Sequence, residues 1–594
     1  LSDLLRIDLT SREIREETID SVLLHEYIGG KGVGSHLLLE EVGATVDPLG
    51  PENKMIFTIG PLTGTKMPGT TRYAAYFVSP LTGGYCESYA GGKLATQFAA
   101  TGYRVVILEG RSQRPVYLEV SDRGVAIHPA DDLWGLDTYA AEDALLSLTP
   151  CPTAQACVIG PAGERLVRFA LVANNRWRCL GRGGPGAVLG SKGVKGIVWH
   201  GTQKVEVARP AAFKALVQDM VGRAKDDPGV ARYQAMGTVQ MVRVTNAIHA
   251  FPTRYWQKGR LDDFEQLSGE TMLEKYKVGN TSCPPCIMHC GNVNRVPDGE
   301  AFAGLELDGP EYETIYAFGG LCEIADFAQV MRLNDMCDRL GIDTMTAGNL
   351  CGLAIEACAQ GRLDLGLGYG DADGVAGLLE NIAAREGIGD VFADGILRVE
   401  QEYGLEDVAV HVKGMEPAAF DPRRSKGMGL SYAITARGAC HLRTTFYKAE
   451  LSGQSDPTAI DGKGEAVADW ENRLCIMDTL IYCRFYRDLV PWPFLTDVVD
   501  AALGTDYSTE VLMRIADRIV TETHAFNARR GIGRGHETLP VWITDHPLTT
   551  SEGESWAITA DEVEAMRRDY YAARSWDDPE AVDMGGVAHA LPGS

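Results

Sequence analysis

The sequence predicts an α+β, multidomain protein: a β-rich N-terminal domain followed by two mainly α-helical domains. Three observations carry that prediction. At 594 residues the chain exceeds one ordinary core, so about two to four domains are expected. Short β-like runs punctuated by glycine and proline fill residues 1–208. At Ala208-Arg209-Pro210 the pattern turns helical, and a softer boundary falls near 415, after Val410-His411-Val412-Lys413-Gly414. The expected domains are 1–208, 209–415 and 416–594.

The N-terminal strands read in order as Leu5–Leu9, Tyr73–Val78, Arg104–Leu108, Val116–Val120 and Lys195–Trp199, with a helix over Gly91–Ala100 among them. Pro210 suits a first helical position, and Phe213, Leu216, Val217 and Met220 follow at helical spacing. Asp326 is placed to cap a helix carrying Phe327, Val330, Met331, Met336, Cys337 and Leu340.

Composition removes several function classes. The hydrophobic share is 45%, and no apolar run is long enough to span a membrane. A net charge of −25 argues against nucleic acid and anionic membranes as partners. Fourteen cysteines in this length are not disulfide density. With no basic-then-apolar leader, a cytoplasmic location is expected, where close-set cysteines read as metal or redox sites.

The strongest local motif is Cys283-Pro284-Pro285-Cys286-Ile287-Met288-His289-Cys290. Thiolates suit both zinc and iron–sulfur clusters, and His289 is the only nearby further ligand for zinc. A cluster, a zinc site and unrelated buried cysteines all remain open at this point. A second motif occurs twice: Asp338-Arg339-Leu340-Gly341-Ile342-Asp343, and Asp478-Thr479-Leu480-Ile481-Tyr482-Cys483. Capping or turn aspartates explain either copy alone. Together they suggest two similar ligands, since a carboxylate reads paired N–H donors of a planar amino-heterocycle such as a pterin.

Arg178-Cys179-Leu180-Gly181-Arg182-Gly183-Gly184-Pro185-Gly186 formally fits G-x-G-x-x-G. No clean buried strand precedes it and no βαβ unit follows, so a Rossmann site is rejected. Glycines with two arginines still suit a phosphate cradle or a plain surface turn. Gly29–Gly34 is a weaker version. Glu313, in Gly309-Pro310-Glu311-Tyr312-Glu313-Thr314, and His441, in Thr435–Arg443, gain meaning only if one site unites them.

Taken in order, these segments, with Gly60-Pro61-Leu62-Thr63-Gly64, resemble the aldehyde ferredoxin oxidoreductase family over nearly the whole chain. The resemblance implies a tungsten (or molybdenum) bis-pyranopterin, a [4Fe–4S] cluster and Mg2+ bridging the pterin phosphates. It implies Cys283, Cys286, Cys290 and Cys483 as cluster ligands. Asp338, Asp343 and Asp478 match the pterin motifs, and Arg72 a pterin-binding arginine. Arg178, Cys179, Gly181 and Arg182 match the phosphate loop, and Arg443 a basic pterin contact. The backbone carbonyls of Tyr89 and Cys179 stand at the Mg2+ positions. Gly91, Ile342 and Tyr482 complete the implied cofactor-binding set. The β-rich domain would form the base under the cofactor.

Three departures stand out. Tyr89 replaces a usual asparagine. Ile481 and Tyr482 replace the glycine and leucine of the second motif. No E-x-x-H sequence occurs, so no iron between subunits is expected, while a homodimer stays open. Cys322 and Cys440 fall near the active-site segments.

The implied reaction is oxidation of an aldehyde to the carboxylic acid, with water as oxygen source and electrons leaving to ferredoxin or an iron–sulfur partner subunit. Glu313 is the implied general base and His441 the donor that stabilises developing oxygen charge. The rival readings are the catalytic subunit of a tungsten-dependent aromatic acyl-CoA reductase, and a non-catalytic zinc-stabilised binding protein. Docking an acidic ferredoxin on this acidic chain needs a local basic patch, for which Arg484 and Arg487 are candidates.

Overall fold

The computed structural model of the chain describes residues 3–576. Two mixed six-stranded sheets build the N-terminal part. The first runs Ile14–Glu17, Leu4–Asp8, Val105–Glu109, Met55–Ile59, Tyr73–Val78, Tyr85–Ala90, with only Leu4–Asp8 and Val105–Glu109 parallel. The second runs Arg178–Leu180, Val172–Asn174, Gln155–Val158, Val194–His200, Val116–Ser121, Gly124–Pro129, again with one parallel pair, Val194–His200 on Val116–Ser121.

The predicted strands therefore form, with ends moved by a residue. They read as apolar runs because both faces are covered, and every residue of Met55–Ile59 and Tyr73–Val78 is buried. Trp199 of the second sheet lies 6.1 Å from Phe57 of the first and stacks on Phe98 at 4.2 Å. The two sheets thus share one core. The outermost strands Tyr85–Ala90 and Arg178–Leu180 lie against each other. That brings Tyr89 and Cys179 to the seam between the sheets.

Beyond Pro210 the chain is mainly helical, as expected. Pro210–Lys225 begins at its proline, and Phe213 and Met220 face inward. Asp326 caps Phe327–Leu340 by accepting the Gln329 N–H at 3.1 Å. The long helix Thr509–Arg529 packs back onto Gly30–Glu41 of the N-terminal part.

Two local expectations change. The helix expected from Gly91 starts at Leu94, because Gly91-Gly92 turns toward the cysteine loop. A three-stranded antiparallel sheet, Lys277–Thr281, Gly291–Arg295 and Glu306–Asp308, lies within the helical part. Its first strand carries one large apolar residue, Val278, which is exposed, so no alternation betrays it. The cysteine segment is the loop joining its first two strands.

Candidate functional site

The two aspartate motifs end two helices, Phe327–Leu340 and Lys463–Thr479, and each docks on a glycine of the sheet domain. A Cβ on Gly160 would come within 2.4 Å of the Leu340 carbonyl oxygen, and one on Gly60 within 2.2 Å of that of Leu480. Only glycine permits such approach. The two glycines stand in matching sequences, Ile59-Gly60-Pro61 and Ile159-Gly160-Pro161, each just after a sheet strand. This repeat was legible in the sequence but went unread.

Gly341 and Ile481 occupy corresponding loop positions with φ of 79° and 50°. The second loop therefore keeps the shape of the first although an isoleucine sits where glycine is natural. Left-handed backbone costs a branched residue about 1–2 kcal/mol. Burial of the Ile481 side chain, 1% exposed, offsets that.

The aspartates are held differently. Asp343 caps the helix Thr344–Ala359 and accepts from Arg182 Nε at 3.1 Å. Arg182 also reaches Glu416 at 3.3 Å. Asp478 takes Arg443 at 2.6 Å and Arg484 at 2.5 Å. Arg443 also binds Glu87 at 2.8 Å, and Lys31 meets the same Glu87 oxygen at 2.9 Å. Asp338 accepts from the Asn334 amide at 2.7 Å and forms no ion pair among the described residues; burial, then the charge of Asp335, pushes its carboxyl well above the usual range.

Several buried polar atoms here lack partners among the described residues: Glu416 Oε1, Arg437 Nε, Arg443 Nε, His441 Nδ1 and Tyr482 OH. Such atoms cost free energy unless something meets them. They belong to segments around both aspartate loops. An extended polar group bearing N–H donors and anionic oxygens fits this donor set.

At the seam, the Arg72 guanidinium approaches the Tyr89 carbonyl at 3.4 Å, and Arg443 lies over the Tyr89 ring at 4.8 Å. The Tyr89 hydroxyl donates to Glu87 at 2.8 Å, a contact that tyrosine brings at this position. Arg178 is held by Thr281 at 2.9 Å and Asp308 at 2.5 Å, so it binds the three-stranded sheet. Ile342 forms a bridge to Ala170 of the sheet domain. Gly181 lies beside Cys179 Sγ.

The four cysteines converge. Burial raises the Cys290 thiol well above its usual range, and Glu311 and Cys483 add to it; burial, then Cys483 and Cys283, raises that of Cys286. The Gly92 N–H donates to Cys283 Sγ at 3.0 Å, and a Cβ on Gly91 would meet that sulfur at 2.9 Å. The Tyr486 hydroxyl lies 3.3 Å from Cys286 Sγ. The Cys483 N–H donates to Gly69 at 2.8 Å. Among the described residues no three His, Cys, Asp or Glu side chains are close enough to hold a single metal ion.

Glu313 and His441 meet, with Oε1 and Nε2 3.5 Å apart. Their side chains keep 18% and 12% exposure amid buried neighbours, so they border open space. Burial pushes Glu313 up to about 8, although the Ala419 N–H at 3.0 Å and the charge of Arg182 oppose it. Burial, then Arg182, Arg437 and Arg443, drives His441 well below its ordinary value. The pair holds a carboxyl that keeps its proton near neutrality beside a neutral imidazole, as acid–base chemistry requires.

Cys440 lies beside this pair. Burial would raise its thiol, but Arg437, Arg443 and Arg182 together lower it. Cys322 is elsewhere in the helical core, 3.6 Å from the Ala317 and Gly348 carbonyls. Arg484 and Arg487 are buried, 8% and 3% exposed, and form no surface patch. Sequence reasoning missed Lys31, Glu87, Glu416 and Arg437. Only Lys31, in the glycine-rich Gly29–Gly34, had any local signal.

Family models match both parts of the chain: the aldehyde ferredoxin oxidoreductase N-terminal domain over residues 4–201, and domains 2 and 3 over 215–583. A tungsten-containing aldehyde ferredoxin oxidoreductase from Pyrococcus furiosus is 34% identical over 590 residues, covering 97% of this chain and 96% of that protein. One from Thermococcus kodakarensis is 34% identical over 608 residues, covering 99% of both. A solved structure, the active-site complex BamBC of benzoyl coenzyme A reductase with 1,5-dienoyl-CoA, matches with a TM-score of 0.83 at 24% identity. That match covers 97% of this chain and 94% of that one, and it shows a shared fold.

Proposed function

Since the chain belongs to the aldehyde ferredoxin oxidoreductase family, we propose that it oxidises an aldehyde to the carboxylic acid with water as the oxygen source. In this reading the electrons leave to ferredoxin or an iron–sulfur partner subunit. The observation that carries it is the Glu313–His441 pair, 3.5 Å apart, with opposite shifts and side chains still partly exposed among buried neighbours.

A tungsten (or molybdenum) bis-pyranopterin would supply the two-electron redox chemistry when bound. Asp338, Asp343 and Asp478 would hold its pterins, with Arg72, Arg178, Arg182 and Arg443 on its anionic groups. The unpartnered Arg443 Nε and Glu416 Oε1 support that assignment. Tyr89 and Cys179, on adjoining edge strands, suit a shared Mg2+. Cys283, Cys286, Cys290 and Cys483 would hold a [4Fe–4S] cluster. Cys483 ends the motif that Asp478 begins, so both groups share a loop. The division into 1–208, 209–415 and 416–594 would give a base under the cofactor and two covers.

Glu313 acts as base through Oε1, while the Ala419 N–H fixes Oε2. It takes a proton from water or from the hydrated aldehyde. His441 turns Nε2 toward Glu313, which leaves its unpartnered Nδ1 to donate to the substrate oxygen.

Anaerobic purification with elemental analysis tests the reading. Tungsten or molybdenum with about four irons per chain is expected, followed by aldehyde-dependent reduction of viologen dye. Zinc alone would remove the proposal. Turnover of aryl-CoA thioesters with none of aldehydes would replace it with the reductase reading.

A further inference from the structure

Over most of its surface a chain of net charge −25 repels an acidic partner. The segments that meet the cysteine loop carry exposed cations. Pro284, Pro285 and His289 of the loop itself are exposed. Exposed Lys93 follows Gly92, whose N–H touches Cys283. Exposed Arg232 lies on the helix Pro228–Met236, and two residues later Gln234 donates to the Ile287 carbonyl at 2.8 Å.

Exposed Lys275 precedes the edge strand Lys277–Thr281, where Asn280 donates to the His289 carbonyl at 2.9 Å. Exposed Lys66 begins the turn in which Gly69 receives the Cys483 N–H and Thr71 donates to Pro284. None of these four cations forms an ion pair among the described residues, whereas other surface arginines such as Arg209 and Arg243 pair with Asp506 and Glu270. Between residues 271 and 291 the one acidic side chain is Glu274, against Lys275 and Lys277. Val278, 56% exposed, and the two exposed prolines add apolar surface on the same segment.

We propose that this face is the docking surface for an acidic iron–sulfur protein, with Lys66, Lys93, Arg232 and Lys275 as its charged rim. The proposal rests on the reading of Cys283, Cys286, Cys290 and Cys483 as cluster ligands. It assigns the electron partner a place where the chain's overall charge alone would forbid one. Rim charges act mainly on encounter and on salt dependence.

The test uses anaerobically purified holoenzyme and an acidic ferredoxin carrying two [4Fe–4S] clusters. Lys93→Glu with Arg232→Glu is one variant, and Lys66→Glu with Lys275→Glu a second, each checked for iron content. At low ionic strength the Kd and KM for the ferredoxin are expected to rise about ten-fold in either variant. The increase of KM with salt expected of the wild type should flatten in the variants, and aldehyde-dependent reduction of benzyl viologen should stay within about two-fold. Unchanged Kd and KM in both variants would overturn the proposal, as would a loss of viologen reduction in step with ferredoxin reduction. If no aldehyde is oxidised by the wild type, the functional reading falls, and the Kd titration still decides the docking face.

Discussion

Replacing Glu313 with glutamine removes the ionisation while keeping an oxygen to accept the Ala419 N–H. A rise from the ordinary 4.5 to about 8 means that holding this carboxylate ionised costs about 5 kcal/mol, at ~1.4 kcal/mol for each factor of ten. The sign follows from proton counting. Between pH 4.5 and about 8 the unfolded chain has released a proton that the folded chain keeps. Wild-type stability therefore falls as pH rises across that window and levels off above it.

Glu313→Gln has no such loss. Its advantage in unfolding free energy should grow from pH 5 to pH 8, with about 5 kcal/mol as the ceiling. Activity moves the other way. A general base works as the carboxylate, so wild-type kcat/KM should climb with pH through about 8. Glu313→Gln should lose roughly 10²–10⁴ in kcat together with that step, at unchanged tungsten and iron content. Denaturation series at fixed pH and viologen-linked turnover measure the two halves. A variant with near-normal kcat, or with the same pH step, would refute the assignment of Glu313 as the base.

Four further outcomes follow from the geometry. Cys483→Ser should lower the iron content and abolish the electron paramagnetic signal of the reduced cluster; unchanged iron and signal would remove Cys483 from the ligand set. Asp343→Ala deletes the cap of Thr344–Ala359 and the partner of buried Arg182, and should cost about 3–5 kcal/mol in denaturant titration; a loss below ~1 kcal/mol would show that the pair is dispensable. Gly60→Ala pushes a methyl group against the Leu480 carbonyl and should lower both thermal stability and retained cofactor. Gly222→Ala, in an exposed helix with open space around it, should instead stabilise by up to ~1 kcal/mol.

The β-then-helical order was legible because each half keeps its own periodicity. Buried strands such as Tyr73–Val78 are continuous apolar runs, and Asp326 announces its helix. The three-stranded sheet escaped because Lys277–Thr281 is polar and half-exposed. Ile481 stands where glycine is usual, yet the backbone there is left-handed as at Gly341, and it packs closely against Gly30 and Gly60.

By itself the sequence determined which residue types are available: four cysteines, two aspartate loops, Glu313 and His441. Their order along the chain carried the family. Only the tertiary structure decided what each of them experiences. Asp338 and Asp478 stand in matching motifs, but one is buried with an amide and the other between two arginines. Glu313 keeps its proton to about 8 because burial outweighs Arg182 and the Ala419 N–H. Arg484 and Arg487 are buried although their charge made them candidates for a surface patch, and the exposed cations come from four separate segments. Desolvation and charge act through space, so no stretch of sequence contains them until the fold brings its neighbours together.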